Sequence, residues 1–212
     1  MAGFFGKIQH LYNDQELTFY EVKDVLHKLF EGALPYSEKF DGINIYFSYD
    51  PEVKSLLYCR NKTDFNSQGV LFNEFIERYK GSDNHEIFDS FNKKLSRLVA
   101  SVPEADRARL FEGRRFYHAE ILHPRFDSVV KYNTFKCIIH NIGHKGTMSE
   151  GIQLSESFDI FERHQEDFLL INKVRTSKLD VNDKLDELLD DLRLFLKREN
   201  LKLSNTIGDF IL

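Results

Sequence analysis

The sequence has little cysteine, no tryptophan and only four prolines in 212 residues. Cys59 and Cys137 both sit in apolar, strand-like runs. This favours two buried reduced thiols over a disulfide and is typical of the cytosol. No apolar run approaches the roughly 18 residues of a membrane span, and residues 1–10 lack the apolar core of a signal peptide. We therefore expect a cytoplasmic protein with no membrane association.

Neither sign of charge dominates the composition. Lys and Arg number 29 against 34 Asp and Glu, a net charge of −5, and 42% of the residues are hydrophobic. These values exclude collagen-like, disordered and generally polyanion-binding chains. A chain of this length predicts a single domain over residues 1–212.

Helical and strand patterns occur without regular alternation. Thr18 and Glu21 form a capping box for a helix that ends at Gly32. The pattern predicts strands at 43–47, 54–59, 116–122 and 135–142, helical pieces within 70–100, a helix over 181–199, and a strand-like segment over 201–212. This arrangement predicts an α+β fold.

The segment with the clearest chemistry is Ser37-Glu38-Lys39-Phe40-Asp41-Gly42-Ile43-Asn44. Lys39 stands at a turn before a half-buried strand, and Gly42 allows close approach of a ligand to the backbone. A lysine here becomes a nucleophile if burial or a nearby cation lowers its pKa. The alternative is an exposed turn lysine paired with Asp41.

The pattern Glu-Lys-x-Asp-Gly-x-Asn resembles the nucleotidyl-lysine motif of covalent nucleotidyltransferases, which include ATP-dependent RNA and DNA ligases and mRNA-capping guanylyltransferases. Asn44 makes it most similar to phage RNA ligases that seal nicks in double-stranded RNA and to their kinetoplastid editing relatives. The resemblance implies a curved antiparallel sheet flanked by helices. It also implies that Lys39 forms lysyl-AMP, that Glu38 reads the adenine, that Asp41 and Gly42 shape the nucleotide-binding turn, and that Asn44 positions nucleic-acid ends.

Two further segments are similar to later motifs of this family. Arg60 follows the strand after Lys39, and Glu120 interrupts the apolar strand 116–122. The resemblance implies that both hold the ribose, and that either Phe135 or His140 stacks on the adenine. It implies ATP and Mg²⁺ as cofactors, and nucleic-acid ends or nicks as partners, with RNA favoured over DNA.

The resemblance extends over about residues 17–142 and then becomes weak. Glu150-Gly151 has the residues of the fourth motif at a short spacing, and Lys173 is a lone stand-in for the lysine pair of the fifth. Two alternatives therefore stand beside the enzyme. One is a non-catalytic ligase-like module, such as a phage structural or accessory protein, and the other is half of a split ligase completed by a companion chain. The apolar segment 206–212 motivates the second, because an unpaired sheet edge attracts a partner strand.

Two polar clusters favour simpler interpretations. Four histidines are candidate zinc ligands, but their spacing is not that of a zinc site; they are His118, His123, His140 and His144. The arginines at 107, 109, 114 and 115 are interspersed with acids, so a solvated surface is favoured over an RNA-binding patch.

Overall fold

The computed structural model describes residues 14–35, 39–144, 147–149, 152–164, 167–172 and 182–211. The helices and strands of the first half are α1 (Phe19–Phe30), β1 (Ile43–Asp50), β2 (Ser55–Cys59), α2 (Lys62–Asn66), β3 (Val70–Leu71), α3 (Phe72–Glu77) and α4 (Asn84–Ser101). Those of the second half are α5 (Glu104–Leu110), β4 (Phe116–Leu122), β5 (Lys136–His144), β6 (Thr147–Ser149), α6 (Ile152–His164), β7 (Leu169–Ile171), α7 (Asn182–Arg198) and α8 (Ile207–Ile211). This mixture confirms the α+β class.

The chain divides into two compact units. One unit contains Lys39–Asn172, and the described part of the other consists of 14–35 and 182–211. The larger unit holds all the described strands and every described residue of the candidate site. The assignment of 1–212 to one nucleotidyltransferase-like domain stays a prediction.

The described strands form one seven-stranded sheet. The order is β3-β2-β1-β4-β5-β6, with antiparallel neighbours, and β7 pairs with β5 in parallel. The expectation of an antiparallel sheet was therefore wrong for β7. A parallel pair needs a crossover connection, and α6 lies in the chain between β5 and β7.

One face of the sheet carries the core. Alternate residues of β1 and β4 contribute to it, and α4 and α6 add to the same buried cluster: Ile43, Ile45, Phe47, Tyr117, Ala119, Ile121, Phe88, Phe91 and Phe161. The rings of Phe47 and Tyr117 stack with their centroids 5.4 Å apart. Burying each such ring contributes about 1.5–3 kcal/mol, so this face anchors the sheet.

The other face of the same two strands is polar near Lys39. Asn44 pairs with Glu120 and Tyr46 pairs with His118 across β1 and β4. Residues opposite each other in an antiparallel pair share a face. The sheet therefore brings the strand that follows Lys39 beside the acid of β4.

The smaller unit packs α1 against α7 and α8 through Phe19, Leu196 and Ile207. The expected capping box is present, because the Thr18 side chain accepts from the Glu21 amide and the Glu21 side chain accepts from the Thr18 amide. The expected strand over 201–212 was wrong, because Ile207–Ile211 is helical. A short apolar run does not distinguish strand from helix by its period.

Both thiols are buried and free, which confirms the prediction for Cys59 and Cys137. None of the described helices combines the length and apolar character that a membrane crossing requires.

Candidate active site

The turn Lys39–Gly42, here called the Lys39 turn, leads directly into β1. Lys39 is exposed. A Cβ atom on Gly42 would lie 2.7 Å from the Ile121 carbonyl oxygen and 2.9 Å from Leu122 Cδ2. The backbone of β4 occupies this space, so only glycine lets the turn approach so closely. The Gly42 amide donates a hydrogen bond to Glu120 Oε2 at 3.3 Å.

Glu120 is the central acid of the site. Its side chain is 19% exposed, and burial raises its pKa to about 7. The hydrogen bond from Gly42 and the positive charge of Lys39 lower this pKa, while the charge of Asp41 raises it. Glu120 is therefore half-ionised near neutral pH, at a distance where the charge of Lys39 acts on it.

A β-bulge between β4 and β5 places the His140 side chain beside Glu120. His118 pairs with Asn141 and Ala119 pairs with Ile139, which leaves His140 as the extra residue. Bulges re-aim side chains in this way. His140 Nε2 lies 3.9 Å from Glu120 Oε2, and its ring centroid lies 5.3 Å from that of His118.

Both histidines are neutral at pH 7. Burial lowers the pKa of each to about 4, and the charge of His140 further lowers that of His118. His118 Nε2 is hydrogen-bonded to Asn44 Nδ2, and His140 Nδ1 is 2.9 Å from Asn172 Nδ2. The contact between His140 and Glu120 is therefore not an ion pair at neutral pH.

These side chains form one polar cluster: Asn44, His118, Glu120, His140 and Asn141. The Asn141 side chain is a hydrogen-bonding neighbour of His118 and raises the pKa of that histidine against the effect of burial, whereas His140 Nε2 is buried and makes no hydrogen bond among the described residues. Buried polar atoms are normally paired. His140 Nε2 is therefore a hydrogen-bonding group of the cluster that a bound molecule can use.

Of the two aromatic candidates, His140 lies beside Glu120. Phe135 packs with the core, 4.9 Å from the ring of His123 and 5.2 Å from that of Phe168. Arg60 is also on the core side, with its guanidinium carbon 5.5 Å from the ring centroid of Phe88. Its ribose-binding role stays a prediction.

Four of the expected site residues lie outside the described part of the chain: Glu38, Glu150, Gly151 and Lys173. Their roles remain expectations.

The arginines that the sequence places between residues 107 and 115 contact acidic or aromatic side chains. Arg114 pairs with Asp50 at 2.9 Å, and Arg115 pairs with Glu112 at 2.9 Å. Arg107 lies over the Tyr49 ring at 5.3 Å, in the wall between clefts of about 350 and 540 Å³. Neither of these two clefts is lined by Lys39 or Glu120. The candidate site is therefore identified by its residue types and contacts, not by the shape of the surface.

The residues that would coordinate a magnesium ion in this site are its carboxylates. In the described residues no group of three or more His, Cys, Asp or Glu side chains is arranged to hold a metal ion. Mg²⁺ in nucleotide sites is commonly held by one or two carboxylates together with the substrate phosphates. Glu120 is the acid of the polar cluster that fits this mode.

Sequence reasoning did not assign His118 or Asn141 to the site, nor Tyr132, whose hydroxyl contacts the Lys39 turn. The alternation in Phe116–Leu122 does place His118 on the same face as Glu120. No local signal indicates Asn141 or Tyr132, because a bulge and an irregular segment position them. Comparisons with family models, with curated proteins and with solved structures found no match to this chain.

Proposed function

We propose that the chain is a covalent nucleotidyltransferase of the ATP-dependent polynucleotide ligase type. The neutral amine of Lys39 attacks the α-phosphorus of ATP, so that a P–N bond forms and the P–O bond to pyrophosphate breaks, and the amine gives its surplus proton to water or to the leaving pyrophosphate. The resulting lysyl-AMP passes its AMP to a 5′-phosphate end, and attack by a 3′-hydroxyl then seals the strand and releases AMP. RNA is the favoured substrate.

The observation that carries this proposal is the bond between Gly42 and Glu120. These residues are 78 positions apart, and the Gly42 amide donates to the Glu120 carboxylate. The segment that resembles the nucleotidyl-lysine motif and the strand that carries the expected ribose-binding acid are therefore joined by this hydrogen bond. A lysine at a strand entrance and a half-buried acid on the neighbouring strand support a nucleotide site with Lys39 at its edge.

The polar cluster offers the contacts that a nucleoside needs. Glu120 and the unpaired Nε2 of His140 are hydrogen-bonding groups for ribose hydroxyls, and the His140 ring is an aromatic surface near Phe40, 6.2 Å away. Asn44, to which the resemblance gives the positioning of nucleic-acid ends, is hydrogen-bonded to His118. Mg²⁺, when bound, neutralises charge on the triphosphate as pyrophosphate leaves.

The test is covalent labelling with ATP that carries radioactive phosphorus at the α position. Wild type, Lys39→Ala and Lys54→Ala are each incubated with Mg²⁺ and separated on denaturing gels. Lys54 is a matched control, because it is also an exposed lysine beside a strand of the sheet. We expect acid-labile, base-stable label on wild type and Lys54→Ala and none on Lys39→Ala.

Absence of label from folded wild type freed of bound AMP would reject self-contained catalysis. Label that appears only when a companion chain is added would instead identify half of a split ligase. Label that persists in Lys39→Ala would reject Lys39 as the nucleophile.

A further inference from the structure

The segment 123–135, which joins β4 to β5, is hydrogen-bonded to the Lys39 turn. The Asp41 amide donates to the Tyr132 hydroxyl at 3.0 Å. The Val129 and Val130 amides donate to Asp41 Oδ2 at 3.0 and 3.4 Å. Both the backbone and the side chain of Asp41 are thus engaged by a segment about 90 positions away.

We propose that segment 123–135 holds the Lys39 turn in its reactive orientation, and that Tyr132 is a positioning residue for the nucleophile. This inference rests on the proposed function. Two different parts of the chain are hydrogen-bonded to the turn. Glu120 of β4 accepts from the Gly42 amide, and segment 123–135 forms hydrogen bonds with Asp41. These contacts fix the backbone two and three residues after Lys39, and so the position from which its exposed side chain extends.

The hydrogen bonds of Asp41 explain why segment 123–135 can position the Lys39 turn. An aspartate at a turn usually accepts from its own backbone two or three residues on, whereas Asp41 accepts from a distant segment. Val129 is 97% exposed, so this residue contributes to the site through its amide and not through a packed side chain. Misplacing a reacting group by about 1 Å can cost roughly 100-fold in rate.

The proposal is tested by single-turnover formation of lysyl-AMP at several ATP concentrations. Tyr132→Phe keeps the ring and removes the acceptor, so we expect the maximal rate to fall roughly tenfold. The ATP concentration for half-maximal rate should change less than about twofold. Val129→Pro removes a donor and should react roughly fivefold or more slowly than Val129→Ala.

Two further variants separate positioning from folding. Lys131→Met alters an exposed side chain of the same segment, whose partner is Asp127, and should react like wild type. Asp41→Asn keeps an acceptor oxygen and should retain more of the maximal rate than Asp41→Ala. A wild-type rate in Tyr132→Phe, or equal losses in Tyr132→Phe and Lys131→Met, would overturn the proposal.

Amide hydrogen exchange distinguishes this proposal from the proposed function. If wild type forms no lysyl-AMP, the proposed function fails on that result alone. The Asp41 amide should still exchange faster in Tyr132→Phe than in wild type or Lys131→Met, because its acceptor is gone. Unchanged exchange at Asp41 would show that the segment does not hold the turn.

Discussion

Glu120 combines two environments that act on its ionisation in opposite directions. Burial disfavours the carboxylate, while the Gly42 amide and the charge of Lys39 favour it. Burial is the larger influence, so the pKa rises from 4.5 to about 7. The carboxyl can therefore act both as an acceptor and as a donor within the pH range of the cell.

This raised pKa predicts a pH-dependent gain in stability for Glu120→Gln. As the pH rises above 4.5 the unfolded chain loses this proton before the folded chain does, so Glu120 lowers the free energy of unfolding until about pH 7. We expect the advantage of Glu120→Gln over wild type to grow by up to about 3 kcal/mol between about pH 4.5 and pH 7.5. Urea unfolding at both pH values measures it.

Glu52→Gln serves as the control for that experiment, because it makes the same chemical change at an exposed position outside the polar cluster. A difference from wild type that does not change with pH for Glu120→Gln would contradict the raised pKa.

The position of His140 predicts which ring stacks on the adenine in the proposed nucleotide site. His140→Phe keeps an aromatic surface and His140→Ala removes it, and stacking of a base on a ring contributes about 1–3 kcal/mol. We expect His140→Ala to raise the ATP concentration for half-maximal labelling roughly tenfold, and His140→Phe to raise it less than about threefold. Equal losses in the two variants would instead assign the role to the His140 N–H group.

Phe135→Ala is the comparison for this pair. Phe135 packs against the core, so we expect a loss of about 2 kcal/mol in the free energy of unfolding. Its affinity for ATP should stay close to that of wild type.

Among the elements, the short helix α8 depends on its cap. The Thr206 amide donates to Asp209 Oδ2 at 2.8 Å, and the Asp209 amide donates to Thr206 Oγ1 at 3.2 Å. This reciprocal pair satisfies donors that a helix start leaves unpaired. It begins the helix that brings Ile207 to Phe19 and Leu196.

Removing this cap should loosen α8. We expect Thr206→Ala to lower the free energy of unfolding by about 1 kcal/mol and to speed exchange of the α8 amides. The exposed Ser204→Ala, two residues earlier, should leave both unchanged. Equal effects of the two substitutions would show that the cap does not stabilise the helix.

At the scale of the molecule, both thiols report on the integrity of the larger unit. Cys59 and Cys137 are each 0% exposed, and burial raises the pKa of both thiols. The thiolate is the reactive form, so burial and the raised pKa both slow the reaction with thiol reagents.

We expect an aromatic disulfide reagent to modify neither thiol in the native protein and both in guanidinium chloride. The measurement is the number of thiols that react per chain, with wild type compared to Cys59→Ala to assign them. Rapid modification of either thiol in the native protein would contradict the described burial. Fewer than two reactive thiols in denaturant without reductant would indicate a disulfide.

Local patterns in the sequence were sufficient for several features. The Thr18–Glu21 capping box predicted the start of α1, alternation predicted β1, and the apolar run around Cys137 predicted β5. These features depend on neighbours two to four positions apart, which is the range that periodicity and capping rules describe. The role of Lys39 as nucleophile, which the family resemblance implies, stays a prediction.

Only the tertiary structure decided the rest. It placed His140 beside Glu120 and Phe135 in the core, because a bulge between β4 and β5 sets which side chains face the acid. It also paired β7 in parallel with β5 and linked Tyr132 to Asp41. Pairing between segments far apart in the chain depends on packing and register across the sheet, which no window of neighbouring residues contains.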